Sequence, residues 1–146
     1  ERMFVGYRYF DKLDIKPLFP FGHGLSYTDF SYSDLKLSAT DITDKDQLEV
    51  SLTLTNTGKF VGKEVVQLYV KDMVGSAVRP VMELKGFEKI ALKAGESQEV
   101  KFTIDADDLA FYTRDMSFKA EPGDFALMIG PSSISYESVP FKLTVN

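Results

Sequence analysis

The sequence contains no cysteine, no tryptophan and a single histidine, His23. The missing cysteines exclude disulfides, thiolate metal sites and a cysteine nucleophile. One histidine excludes a multi-histidine metal site. Basic charge is also short. Lysine and arginine total 17 against 22 acidic residues, a net charge of −5 with no basic cluster, so no surface is expected to follow a nucleic-acid backbone or an anionic bilayer. No run is long and apolar enough to span a membrane, so no membrane insertion is expected. The first residues, Glu1-Arg2-Met3-Phe4-Val5-Gly6-Tyr7, lack the basic start and apolar block of a signal peptide. They enter an aromatic run with no polar lead-in, which reads as a piece of a longer chain.

The remaining composition is that of a folded domain. With 146 residues, 44% apolar and 27% charged, the chain is neither disordered nor fibrous. A domain of this size buries roughly 70% of the surface its unfolded chain exposes.

Residues 1–28 stand apart. Phe4, Tyr7, Tyr9, Phe10, Phe19, Phe21 and Tyr27 are interleaved with Pro17, Pro20, Gly22 and Gly24. That density of proline and glycine argues against both helix and sheet. The rings argue against a solvated loop, because large aromatics gain much from burial. The segment is therefore expected to pack on the flank of its own domain or on a neighbour.

From Phe30 onward the pattern is strand after strand. Phe30 and Tyr32 are followed by Leu35 and Leu37, a slip in phase that suggests a bulge. Leu48, Val50, Leu52 and Leu54 alternate with Glu49, Ser51, Thr53 and Thr55, one face for the core and one for water. Asn56-Thr57-Gly58 then reads as a turn. Val66, Leu68 and Val70 share a face opposite Val65, Gln67 and Tyr69. Further strands are expected over Met82–Leu92 with an interruption at Gly86, over Val100–Ile104, at Met116-Phe118-Ala120, at Phe125-Leu127-Ile129, and at Phe141-Leu143-Val145. Ala126 and Met128 suggest that the Phe125–Ile129 strand is covered on both faces. No stretch of helical period competes; Asp107–Phe111 has room for one helical turn. Short strands at roughly 8–12-residue spacing predict an all-β fold, an immunoglobulin-like antiparallel β-sandwich, with most phenylalanines on core phases.

The motifs with any bearing on chemistry are weak. Gly22-His23-Gly24 lacks the third glycine of a dinucleotide loop, since Tyr27 stands there, and reads as a tight turn. Gly24-Leu25-Ser26-Tyr27-Thr28 lacks the second glycine of a nucleophile elbow. Asp41, Asp44 and Asp46, and Asp105, Asp107 and Asp108, have oxygens that calcium accepts, but acids in such turns commonly serve the backbone. Tyr69, Tyr112 and Tyr136 are candidates for a sugar-stacking platform. The connection from Asp72 to Pro80 carries Met73, Val74, Val78 and Arg79, either as a docking tip or folded back on its own sheet. No catalytic, metal or cofactor residue is assigned, and no cofactor is expected.

Several segments together do resemble a known family. Val5-Gly6-Tyr7-Arg8-Tyr9-Phe10-Asp11 and Pro17-Leu18-Phe19-Pro20-Phe21-Gly22-His23-Gly24-Leu25-Ser26-Tyr27-Thr28 resemble the junction before the last domain of family 3 glycoside hydrolases. Thr55-Asn56-Thr57-Gly58, Gly62-Lys63-Glu64-Val65-Val66-Gln67-Leu68-Tyr69, Arg79-Pro80, Glu83-Leu84-Lys85-Gly86-Phe87 and Glu121-Pro122-Gly123 resemble that domain itself, a fibronectin type III-like sandwich. Many members have tyrosine at the position of His23. The resemblance implies residues 1–28 as a junction from a preceding catalytic domain and residues 29–146 as the fibronectin type III-like domain. It further implies a non-catalytic C-terminal module of a bacterial β-glucosidase-like enzyme, periplasmic or secreted. The parent would be a retaining enzyme acting on β-glycosides. Its two carboxylates, about 5–5.5 Å apart, would lie in upstream domains, with about 600 residues preceding Glu1. Neither family motif for those carboxylates occurs here. The expected partner is the set of upstream catalytic domains, with Tyr7, Phe10, Phe19, Phe21 and Arg79 as docking candidates. A carbohydrate-binding module and a surface interaction module are the alternative readings.

Overall fold

The computed structural model describes residues 4–76 and 80–145. Among the described residues ten strands and two short helices follow one another: α1 (Tyr7–Leu13), β1 (Phe30–Leu37), β2 (Asp41–Thr43), β3 (Leu48–Asn56), β4 (Gly62–Asp72), β5 (Glu83–Leu92), β6 (Ser97–Ile104), α2 (Ala106–Leu109), β7 (Phe111–Tyr112), β8 (Phe118–Lys119), β9 (Gly123–Ser132) and β10 (Ser135–Thr144). One sheet has the order β1-β3-β6 and the other β2-β10-β9-β4-β5. The apolar phases of both sheets meet in one core, among them Leu48, Val50, Leu52 and Leu54 of β3, Val66, Leu68 and Val70 of β4, and Phe125, Leu127 and Ile129 of β9. The chain is thus a β-sandwich, its alternation read correctly from β3 and β4. One pair departs from antiparallel order: β2 runs parallel to the end of β10, with Ile42 opposite Leu143.

The phase slip in β1 is a bulge. Ser33 faces Thr53 but Lys36 faces Ser51, so one extra residue is inserted. Asp34 absorbs it with φ 57°, a left-handed conformation that aspartate tolerates better than most residues. The insertion turns Leu35 and Leu37 back to the core that Phe30 and Tyr32 already meet. The interruption at Gly86 is likewise a register shift, since Leu68 faces Gly86 while Tyr69 faces Leu84. A side-chain carbon at Gly86 would lie 3.1 Å from the Phe102 ring, so glycine there makes room for the facing sheet.

Four expectations are corrected. A helix, α1, forms where proline and glycine argued against one; they lie outside it, Gly6 before it and the others from Pro17 on, and the helix is bracketed by Gly6 (φ 61°) and Asp14 (φ 51°). Met116 is not in a strand but in a tight turn with φ 63°. Asp115 builds that turn by accepting from Thr113 Oγ1 and from Ser117 Oγ at 2.9 Å, which leaves only Phe118–Lys119 to pair with β7. Val145 lies past β10 and is exposed. Finally, Phe125 and Phe141 are the phenylalanines of the buried core, stacked at 5.3 Å, with Phe30 and Phe102 packed at its margin; Phe19, Phe60, Phe87 and Phe118 are among those left exposed.

Candidate docking surface

The leading segment, residues 4–28, is where exposed apolar surface and specific contacts coincide. Its inner side lies on the outer face of the five-stranded sheet. There Tyr69, Met82 and Met128 form a second buried cluster, with Tyr7 and Leu84 against it. The Tyr7 ring stacks on Phe21 at 4.6 Å and meets Tyr69 edge-on at 6.1 Å. The Tyr7 hydroxyl accepts from Leu84 N at 3.0 Å, and Arg8 pairs with Glu83 at 3.0 Å. Phe21 O accepts from Ser133 N at 2.9 Å.

Gln67 stands at the centre of this anchorage. Its amide donates to Pro131 O at 2.6 Å and to Gly22 O at 3.3 Å, and its carbonyl accepts from Tyr69 Oη at 2.5 Å. Gly22 has φ 81°, and a side-chain carbon there would lie 2.1 Å from Gln67 Oε1. Only glycine fits that approach without displacement. Burial, then the nearby Tyr7 and Asp11 charges, push the Tyr69 phenol well above its ordinary range. Where the segment joins β1, Thr28 Oγ1 donates to Asn56 Oδ1 at 2.6 Å.

The outer side of the same segment is apolar and uncovered. Leu18, Leu25 and Tyr27 are 88%, 92% and 97% exposed, and Phe19 is 66% exposed. Val5 and Leu13 extend the exposed set. Phe19 stacks on His23 at 5.5 Å, and His23 N donates to Pro20 O at 3.0 Å, closing the expected turn.

The structure therefore divides the docking candidates. Tyr7 and the inner side of Phe21 are engaged with their own sheet, whereas Phe19 and Phe10 retain exposed rings. Arg79 and Val78 lie outside the described residues. Leu18, Leu25 and Tyr27, the most exposed large residues of the segment, were not among the candidates. Their signal was present: apolar residues in a proline- and glycine-rich stretch have no strand partner to cover them.

The remaining motifs serve the backbone. Asp46 accepts from Thr43 N and Oγ1, both at 2.8 Å, and those bonds, the backbone one first, hold its carboxyl below the usual range. Asp105 caps α2 through Asp107 N and Asp108 N, and Asp108 returns a bond to Asp105 N. Among the described residues no group of three or more His, Asp or Glu is gathered to hold a metal ion. Tyr69 is fully buried and cannot be a sugar platform; Tyr112 is exposed but tilted 55° against Phe118. Ser76 donates from N at 3.1 Å and from Oγ at 2.5 Å to Glu121, tying that part of the Asp72–Pro80 connection back to the domain.

Glu64 on β4 is partly buried. It accepts from Tyr32 Oη at 3.0 Å in a cleft it shares with Leu25, Ser26 and Asp29. Burial raises its pKa, with the Tyr32 bond opposing. A folded-state value above the unfolded one favours folding at low pH, and that contribution is lost as pH rises through the folded value. Glu64→Gln is therefore expected to gain on the wild type between pH 4.5 and pH 7, read from urea midpoints at the two pH values. A difference that does not change with pH contradicts this.

A fibronectin type III-like domain model matches residues 64–133. Thermostable beta-glucosidase B of Acetivibrio thermocellus is 50% identical, over 99% of this chain and 20% of that protein. The periplasmic beta-glucosidase of Salmonella typhimurium is 46% identical, over 93% of this chain and 18% of that protein. The structure of beta-glucosidase 3B from Thermotoga neapolitana in complex with α-D-glucose superposes with a TM-score of 0.86 at 40% identity, covering 95% of this chain and 19% of that one. The chain thus spans about a fifth of the length of the relatives it matches. No helix among the described residues is long and apolar enough to cross a membrane. Sandwich topology, the ordered motifs and these matches agree: the chain is a fibronectin type III-like domain of the family 3 glycoside hydrolases, together with the segment that leads into it.

Proposed function

We propose that the chain is the non-catalytic C-terminal module of a β-glucosidase-like enzyme, docking on the catalytic domains of the same polypeptide and stabilising them. Residues 1–28 form the junction and residues 29–146 the module. The parent hydrolyses terminal β-D-glucosyl or related residues with carboxylates in its other domains, in the periplasm or outside the cell; one relative carries a periplasmic name. The observation behind this reading is the two-sided leading segment. Its inner rings are fixed on β4 and β9, yet Leu18, Leu25 and Tyr27 remain almost wholly exposed. Several large apolar side chains left exposed on one short segment of a folded surface point to a contact, and a segment held so firmly from beneath presents them in one shape.

The test is a double substitution, Leu18→Ser with Leu25→Ser, made in this chain and in the longer enzyme. In this chain both side chains already face water, and the melting temperature should stay within about 1 °C. In the longer enzyme each buried leucine contributes roughly 1.5–3 kcal/mol, so the melting temperature should fall by several degrees. Equal behaviour in the two contexts counts against docking through this face. Saturable binding of cello-oligosaccharides by this chain alone would instead favour a carbohydrate-binding module.

A further inference from the structure

We propose that the cleft between the leading segment and the start of β4 binds a tetrahedral oxyanion of the phosphate or sulfate type. The cleft has a volume of about 450 Å³. Residues 22–26 of the leading segment form one wall, and the turn from β9 to β10, through Ser132 and Ser135, forms another. The strand register decides which side chains meet it. Val66, Leu68 and Val70 face the core, so Lys63 and Val65 lie on the outer face of the sheet, where Gln67 holds Gly22. Val65 stands opposite Lys89 and Lys63 opposite Ala91, which makes Lys63 and Lys89 diagonal neighbours on that face. His23 adjoins Gly22, and its ring is stacked on Phe19 at 5.5 Å. Three basic side chains far apart in the sequence thus line one cleft. All three are exposed, so the cleft is open to solvent.

These charges are unusual on a chain with a net charge of −5. Arg8, Lys85, Lys101 and Lys119 each have a carboxylate partner, whereas among the described residues Lys63 and Lys89 have none. The acids next to them in sequence belong to the other face of the sheet. Glu88 stands opposite Val66, and Glu64, which borders the cleft, accepts from Tyr32 Oη at 3.0 Å. Ser132 Oγ accepts from Ser135 N at 3.2 Å, and Ser26 Oγ accepts from Thr28 N at 3.4 Å, so each hydroxyl keeps its proton to donate. Two ammonium groups, an imidazole and hydroxyl donors favour an oxyanion over an uncharged sugar, because charge-assisted bonds are the stronger ones.

His23 is the only histidine of the chain, so its imidazole resonances report on this cleft alone. Inorganic phosphate added to this chain, at fixed pH and with sodium chloride holding the ionic strength constant, should move them along a saturating curve. Sulfate should compete. Lys63→Gln with Lys89→Gln keeps side-chain length at two exposed positions and should weaken the apparent affinity about tenfold or more. Lys45→Gln, an exposed lysine in the turn before β3, should leave it unchanged. A response that stays linear with phosphate overturns the proposal. So does saturation that the double substitution leaves unaltered, or that Lys45→Gln weakens equally.

Discussion

Replacing Asn56 by leucine is expected to lower the unfolding free energy by about 4 kcal/mol, because it strands several buried polar groups at once. Asn56 is fully buried at the end of β3. Its amide donates to Phe60 O at 2.8 Å and to Leu92 O at 3.0 Å. Its carbonyl accepts from Thr28 Oγ1 at 2.6 Å and from Gly58 N at 3.1 Å. One side chain thus joins the leading segment, the turn after β3 and the end of β5. Leucine offers no polar atom to any of these groups. The same knot explains Thr55-Asn56-Thr57-Gly58. A side-chain carbon at Gly58 would lie 2.1 Å from Thr28 Oγ1 and 2.8 Å from the backbone nitrogen of Asp29; the second of these atoms cannot rotate away. Thr28→Val removes one bond of the four and should cost about 1 kcal/mol. Urea unfolding of the three proteins orders them; a leucine variant within 1 kcal/mol of the wild type would contradict this assignment.

Tyr7→Ala should have the second largest effect, about 3 kcal/mol, and a local character. The ring joins Phe21 to Tyr69, and its hydroxyl receives the Leu84 amide. Removing it uncovers the cluster of Tyr69, Met82 and Met128. The sandwich core lies on the other face of β4 and β9 and is untouched. The segment should therefore detach while the sheets persist. Hydrogen exchange reads this directly: the amides of Leu84 and Ser133, bonded to Tyr7 Oη and Phe21 O, should lose protection, whereas Leu52 and Val100 in the facing sheet keep theirs. Tyr7→Phe keeps both ring contacts and should lose only about 1 kcal/mol. Uniform loss of protection across both sheets would show that the segment is part of the sandwich's cooperative unit and not a layer upon it.

The sandwich was legible because its strands are half-buried. In β3 every second residue faces the core, and water on the other side keeps the intervening positions polar. The bulge in β1 was legible for the same reason, as a break in that alternation. β2 was not: three residues with Ile42 alone apolar cannot display a period, and its parallel pairing with β10 is set by tertiary contact. The helix α1 was hidden because glycine and proline were weighed over 28 residues, while Tyr7–Leu13 contains neither. It has no buried residue either, so no apolar stripe announced it. At Tyr69 and Gln67 the alternation pointed to water, and both are buried because a distant segment covers them. The aromatic richness of residues 1–28 correctly indicated packing, but composition cannot divide a segment into its two sides. Tyr7 is held beneath, Leu18 and Leu25 face outward, and only the path of the backbone over β4 and β9 separates them.

The central claim, that the outer face of the leading segment is covered in the longer enzyme, is tested most directly by the chemical accessibility of Leu25. This chain has no cysteine, so Leu25→Cys introduces a single thiol at a position 92% exposed. In this chain maleimide should modify it at the rate of a free thiol. In the longer enzyme, with the Leu25→Cys peptide followed by mass spectrometry, modification should be at least tenfold slower. Equal rates in the two proteins would contradict the claim.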